Sequence, residues 1–125
     1  MKKHILLVDN DKHELDYFLD ALKEVPEEDG FKCTYVNSAI EAAELLKTLV
    51  PHFIFIDKAF HPGEIMIMLQ SIKEEMRLCE VKIFLYTTTH EEPEELFSSY
   101  GVKGCVKKAR SSDKLSKRLT TCLSA

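Results

Sequence analysis

A single α/β domain built on a five-stranded parallel sheet, with helices on both faces, is what this sequence predicts. Three observations carry that reading. Five short apolar runs alternate strictly with five segments of helical period. Two of the runs, Ile5-Leu6-Leu7-Val8 and Phe53-Ile54-Phe55-Ile56, are apolar at every position, the pattern of strands buried on both faces. The length, 125 residues, is that of one ordinary domain, which buries about two-thirds of its unfolded surface without disulfides or metals. Strict βα alternation then returns each strand parallel to the last, in a doubly wound arrangement.

The elements follow in order. The first strand ends in Asp9-Asn10-Asp11, and Asp11-x-x-Glu14 reads as a capping box that opens the first helix. Leu15, Phe18, Leu19 and Leu22 give that helix one apolar face, and Pro26 and Gly30 end the segment. Phe31 to Val36 alternates as a second, more exposed strand. Ser38-x-x-Glu41 is another capping box; Ile40, Ala43, Leu46 and Val50 form the buried face of the second helix, and Pro51 stops it. His52 to Asp57 is the third strand. Pro62-Gly63 marks a loop, after which Ile65, Leu69, Ile72 and Met76 line the third helix, with Met66 and Met68 as further packing residues. Val81 to Tyr86 is the fourth strand and runs into Thr87-Thr88-Thr89. Glu91-Glu92-Pro93-Glu94-Glu95 opens a short fourth helix, where proline suits the first turn and carboxylates suit the positive end of the dipole. Gly104 to Lys107 is the fifth strand. From Ser111 the last helix turns Leu115, Leu119 and Cys122 inward.

Composition narrows the function. Charged residues make up 30% and the formal net charge is −4, which argues against non-specific nucleic-acid binding. Cys33, Cys79, Cys105 and Cys122 show neither a C-x-x-C pair nor metal-ligand spacing, so reduced thiols are expected. His4, His13, His52, His61 and His90 also lack ligand spacing and read as surface or structural residues. The apolar run after Met1-Lys2-Lys3-His4 stops at Asp9, too short for a signal peptide, and no stretch is long enough to span a membrane. A cytoplasmic location is expected. No linker, repeat or low-complexity segment interrupts the chain, so residues 1–125 are read as one domain whose last helix runs to Ala125.

The acidic strand ends point to chemistry. Parallel α/β sheets place ligands at the carboxyl ends of their strands, and two acidic ends brought together suit a hard cation and reactions of phosphate. Asp9-Asn10 follows the first strand, Asp57 the third, Thr87 the fourth and Lys108 the fifth. In those four positions, and over nearly its whole length, the chain resembles the receiver domain of two-component response regulators. The resemblance implies a flavodoxin-like strand order 2-1-3-4-5 and a phosphoryl group accepted on Asp57. It implies Mg²⁺ held by Asp9, Asn10, Asp57 and the backbone carbonyl of Ala59, with Lys108 pairing with the phosphoryl oxygens. Thr87 would donate its hydroxyl after transfer and so reshape the surface of the fourth helix, fifth strand and fifth helix. The partners implied are a sensor histidine kinase or phosphotransfer protein and a downstream protein, in a stand-alone signalling module and not an enzyme.

Four positions depart from the family pattern. Asn10 replaces the second acid, which should weaken Mg²⁺. Cys105 stands at the aromatic switch position, Ala109 replaces the proline after the lysine, and Pro62 comes one residue late. In the family the bond after the lysine is cis; without proline the cis form costs about 3 kcal/mol, so Lys108-Ala109 is expected trans, with its loop rerouted.

Two rival readings accompany this one. A pseudo-receiver would keep the fold as a protein-binding module insensitive to phosphate, as Asn10, Cys105 and Ala109 suggest. A haloacid-dehalogenase-type phosphatase would use Asp9-Asn10-Asp11 as its D-x-D with Thr87 and Lys108. Against it, His13 sits where Thr or Val is expected, no late acidic pair follows Lys108, and there is no cap domain. Lys107, Arg110, Lys114, Lys117 and Arg118 read as a solvated face. The alternative is a docking surface, either for an acidic partner or for Glu91, Glu92, Glu94 and Glu95 of a second copy in a homodimer.

Overall fold

The computed structural model describes residues 2–89 and 93–124. Its elements are β1 (Lys3–Val8), α1 (His13–Leu22), β2 (Phe31–Val36), α2 (Ala39–Leu45), β3 (Phe53–Asp57), α3 (Pro62–Glu74), β4 (Lys82–Thr87), α4 (Glu95–Ser99), β5 (Val102–Lys107) and α5 (Ser112–Leu123), with one 3-10 turn at Met76–Leu78. All neighbouring strands pair in parallel, in the order β2-β1-β3-β4-β5.

Alternation along the strands divides the core into two layers. Leu6, Val8, Ile54, Ile56 and Leu85 face α2, α3 and α4, where Ala42, Ile65, Leu69 and Phe97 cover them. Ile5, Leu7, Phe55, Phe84 and Tyr86 face α1 and α5, beneath Phe18, Leu22, Leu115 and Leu119. Phe18 anchors the second layer: its ring meets Phe55 edge-on at 5.2 Å and Tyr86 at 5.6 Å, the preferred T-shaped geometry.

Several helix faces differ from the sequence reading. On α1 the inward residues are Glu14, Phe18, Ala21 and Leu22, while Leu19 is 37% exposed. The expected capping box does not close, because Glu14 is buried against the sheet. Asp11 alone serves the helix start, accepting the His13 N–H at 2.9 Å. Ser38 does cap α2, with Oγ accepting the Glu41 N–H at 3.1 Å. That helix ends at Leu45, well before Pro51, in turns closed by the Lys47 and Thr48 N–H groups. Ala39, Ala42 and Leu46 are buried, whereas Ile40 is 74% exposed and Val50 lies beyond the helix, exposed. Glu75 breaks α3 with an extended backbone, so Met76 leaves the buried stripe and is exposed; Met68 is buried and Met66 half-buried.

Strand ends shift by a residue or two. β4 includes Thr87, and β5 begins at Val102, with a register irregularity between Val102 and Gly104 opposite Ile83 and Phe84. α4 begins only at Glu95; Glu91 and Glu92 of the expected helix start, like His90, lie outside the described residues. On α5, Leu115, Leu119 and Leu123 are buried and Cys122 half-buried. All four cysteines are free. Among the described residues no peptide bond is cis, so Lys108-Ala109 is trans as expected. Among them, too, no helix is long and apolar enough to cross a membrane.

The revised faces predict a contrast in stability. Phe18→Ala should cost about 3–5 kcal/mol, the loss typical of a buried ring. Ile40→Ser should stay within about 0.5 kcal/mol, as exposed substitutions do, and Leu19→Ser, only partly covered, should cost about 1–2 kcal/mol. Urea denaturation of the three variants measures these losses; a Leu19→Ser loss as large as that of Phe18→Ala would reverse the assignment of the α1 face.

Candidate functional site

Asp9, Asp57, Thr87 and Lys108 converge at the carboxyl edge of the sheet. The convergence follows from register. Val8 pairs with Ile56 across β1 and β3, Asp57 with Tyr86 across β3 and β4, and Thr87 with Lys107 across β4 and β5. Asp57 and Thr87 are the last residues of their strands, Asp9 and Lys108 follow theirs by one, and all four meet at one end of the sheet beside an open cleft. The cleft has a volume of about 270 Å³ and is lined by Asp57, Lys58, Ala59, Thr87, Thr88, Thr89 and Lys108.

Lys108 is the centre of this arrangement. Its Nζ lies 2.9 Å from Asp9 Oδ2 and 3.4 Å from Asp57 Oδ1. Asp9 is completely buried; its Oδ1 accepts the Asp11 N–H at 2.8 Å and its backbone carbonyl accepts the Tyr35 hydroxyl at 2.7 Å. Its Oδ2 has no directed hydrogen-bond donor, so the short contact with Lys108 is a charge pairing without hydrogen-bond alignment. Burial pushes the Asp9 carboxyl up to about 6, with the Asp57 charge adding to the rise, against the opposing pull of the Asp11 N–H and Lys108. For Lys108, burial acts against the ammonium, but Asp9 and Asp57 outweigh it and hold the group above its ordinary range.

The other residues are fixed by backbone geometry. Asp57 Oδ1 accepts the Ala59 N–H at 2.9 Å, which folds the chain back over the strand end. Thr87 is buried; its Oγ1 accepts the Thr89 N–H at 3.3 Å and its carbonyl accepts the Lys108 N–H at 2.6 Å. Asn10 and Asp11 are exposed, and Asp11 Oδ1 is taken up by the His13 backbone, 3.3 Å from its Nδ1. Asp11 is thus engaged at the helix start. Among the described residues no three His, Cys, Asp or Glu side chains gather to hold a metal. Cys105 sits half-buried against the α3 and α4 layer.

Two residues of the site were not legible in the sequence as site residues. Arg118, read there as part of a solvated basic face, is partly buried. Its Nη1 donates to the carbonyls of Lys107 at 3.0 Å and Lys108 at 3.4 Å. Tyr86 lies beneath Lys108, whose ammonium is 5.2 Å from the ring centroid. The signal for Arg118 was its spacing: it follows Leu115 by three residues and precedes Leu119, on the edge of the buried stripe of α5. Lys114 and Lys117 are exposed, as expected, and Lys117 pairs with Asp113 within the helix at 3.4 Å.

No family model and no curated protein matches the sequence. Solved structures do match it. A response regulator from Thermotoga maritima aligns over 100% of both chains, at 19% identity and a TM-score of 0.76. The phosphorylated cyanobacterial phytochrome response regulator RcpA covers 98% of this chain and 91% of its own, at 18% identity and a TM-score of 0.76. The Mn²⁺-bound form of response regulator Rcp1 covers 98% of this chain and 92% of its own, at 22% identity and a TM-score of 0.72. The chain has the receiver fold of response regulators, and has it over its whole described length.

Two predictions follow from the geometry. Because the folded state binds the Asp9 proton more tightly than the unfolded chain, the contribution of Asp9 to stability is fully present below the ordinary aspartate range and is lost as pH rises through about 6. Without divalent metal the loss between pH 4 and 7 should be about 2 kcal/mol. Asp9→Asn should flatten that slope in a denaturation series, and a slope unchanged by the substitution would assign it elsewhere. Arg118→Ala should cost about 1.5–3 kcal/mol, the range of hydrogen bonds from a charged donor, and should speed amide exchange at Lys108. Exchange there as slow as in the wild type would show that Thr87 alone holds the loop.

Proposed function

We propose that this chain is a stand-alone receiver that accepts a phosphoryl group on Asp57 and signals through protein contacts. The observation that carries the reading is the Lys108 ammonium set between two buried carboxylates, with Asp57 and Thr87 in the wall of the same open cleft. The donor would be a sensor histidine kinase or a phosphotransfer protein in the cytoplasm. In the transfer, an Asp57 oxygen bonds to phosphorus as the P–N bond of a phosphohistidine breaks, and its electron pair returns to the imidazole. Asp57 is modified once per signal and is not a catalyst of external turnover.

The site has one feature that fits a divalent cation: Asp9 Oδ2 is a buried carboxylate oxygen without an aligned donor. Asp9, Asn10, Asp57 and the Ala59 carbonyl would hold Mg²⁺, which uses few protein ligands and keeps its waters. When bound, it would offset the repulsion between a carboxylate nucleophile and the phosphoryl oxygens. The remaining work belongs to the chain. Lys108 is placed to pair with a phosphoryl oxygen as a point charge. Thr87 Oγ1 accepts from the Thr89 backbone and shares a long 3.4 Å contact with the Thr89 hydroxyl, at the wall of the cleft where a phosphoryl oxygen would sit. The fold neighbours support the reading, one being described as phosphorylated and another as Mn²⁺-bound.

A second reading, the phosphate-insensitive pseudo-receiver, is favoured by Lys108 lying nearer Asp9 than Asp57 and by the neutral Asn10. The phosphatase reading is disfavoured because Asp9, the nucleophile it needs, is wholly buried beneath Lys108 while Asp57 borders the cleft.

Labelling by a small acyl phosphodonor with Mg²⁺ separates the first two. Wild type should label and Asp57→Asn should not; an inert wild type leaves the pseudo-receiver. Asn10→Asp restores a negative charge beside the cation and should tighten Mg²⁺ at least about tenfold, or 1.4 kcal/mol. A Mg²⁺ titration of both proteins reads this directly, and equal affinities would remove Asn10 from the proposed ligand set.

A further inference from the structure

Glu14 is a buried carboxylate for which neither the helix start nor the proposed transfer has a use. It stands in the first turn of α1, where its sequence position suggested a cap, yet it is only 9% exposed and faces the sheet. A carboxylate so placed is costly unless charge or hydrogen bonding compensates it. What it meets is Tyr86, itself fully buried, whose hydroxyl donates to Glu14 Oε2 at 3.4 Å. A buried phenol needs such an acceptor as much as the carboxylate needs a donor.

Tyr86 connects that charge to the site. Its ring is the surface beneath Lys108, 5.2 Å from Nζ to the centroid, and Phe18 packs edge-on against the same ring and fixes its plane. Ammonium groups are drawn to the negative face of an aromatic ring. A phenol that donates to a carboxylate is polarised by it, and the ring face becomes more negative in a low-dielectric setting. The Glu14 charge also acts on Lys108 directly and reinforces its protonated form. The ammonium is therefore held from three directions: by Asp9, by Asp57, and from below by the Glu14-Tyr86 pair.

We infer that Glu14 and Tyr86 are positioning residues for Lys108, returning to the site from beneath the negative charge that Asn10 withholds at its rim. The inference rests on the proposed role of Lys108 in phosphoryl transfer, but its geometry can be tested without any transfer. Asp11 does not take this role, since it is spent on the His13 backbone at the exposed helix start. Glu14→Gln keeps shape and removes charge. Tyr86→Phe keeps the ring and severs its link to Glu14.

The test is NMR of the ¹⁵N-lysine-labelled, unphosphorylated protein, following the Lys108 ammonium protons, assigned by their loss in Lys108→Arg. Each single variant should raise their solvent exchange about twofold, the lower end of what a cation–π contact represents, because the ring stays and only its polarisation is lost. The double variant should exchange little faster than Glu14→Gln alone, because that substitution already removes both the direct charge and the polarisation of the ring. The rate of Asp57 labelling should fall by a similar factor, in maximal rate more than in the phosphodonor concentration needed. If either variant misfolds, the other still reads the path. Lys108 exchange unchanged in both folded variants, or effects that simply multiply, would overturn the inference while leaving labelling of Asp57 intact. Faster exchange in the variants of a protein that never labels would sustain the inference and sink the proposed transfer.

Discussion

One ammonium between two buried carboxylates is the constraint on which the rest of this structure turns. Asp9 and Asp57 belong to adjacent central strands and would repel each other strongly at interior dielectric. Lys108 makes the pair tolerable, and it reaches them only because β5 ends level with β4. Removing one member of such a group strands a buried charge, which is far costlier than the group is stabilising. The same register also sorts the core. A slip of one residue along any strand would turn its apolar set to the opposite face and carry the charged tips out of line. Packing and charge thus specify one alignment, and neither alone has to do so.

The local frame of Lys108 shows how a divergent sequence keeps that alignment. Where the resemblance expects proline, this chain has Ala109 and a trans bond. The loop is held by hydrogen bonds instead: the Lys108 N–H to the Thr87 carbonyl, and the Arg118 guanidinium to two successive carbonyls. Arginine suits this task because its planar fork presents several donors at fixed angles. The backbone restraint comes from β4 and α5, the side-chain restraint from the ends of β1 and β3 and from β4. Lys108 is consequently placed by four elements that are distant in sequence.

That distribution explains which parts could be read from the sequence. The strands were legible because fully buried strands are apolar at each step, and their acidic ends stood out against that background. The helix faces were less so. A 3.6-residue period admits neighbouring choices, and on α1 it could not separate Leu19 from Ala21, since the small residue packs closer to the sheet. Ile40 and Val50 fitted a longer α2, but the chain turns at Leu46. Met76 fitted a longer α3, but Glu75 leaves the helix. Glu14 and Arg118 were hidden for another reason. Each has a common surface role at its position, a cap and a solvated charge, and only the approach of Tyr86 or of the Lys107 and Lys108 carbonyls reveals a different one.

Three of the departures from the pattern that the resemblance implies fall outside the fully buried core. Asn10 is exposed, and Cys105 and Ala109 are half-buried, so none of the three carries the core. Asp9, Asp57 and Thr87, by contrast, are buried and knit into the backbone. A scaffold can hold its shape while such exposed positions change, so the preserved fold is no measure of the preserved chemistry. The measure lies in the charges. Asn10 carries none at the rim, and Glu14 places one beneath Tyr86, where Lys108 feels it. Charge moved from an exposed position to a buried one is less screened by solvent and acts more strongly per unit. It also lies farther from the cleft, behind a ring, and so favours the fixed ammonium over a cation that must enter from water. On the proposed roles of Asn10 and Glu14, the site would hold its own lysine firmly and a metal ion weakly.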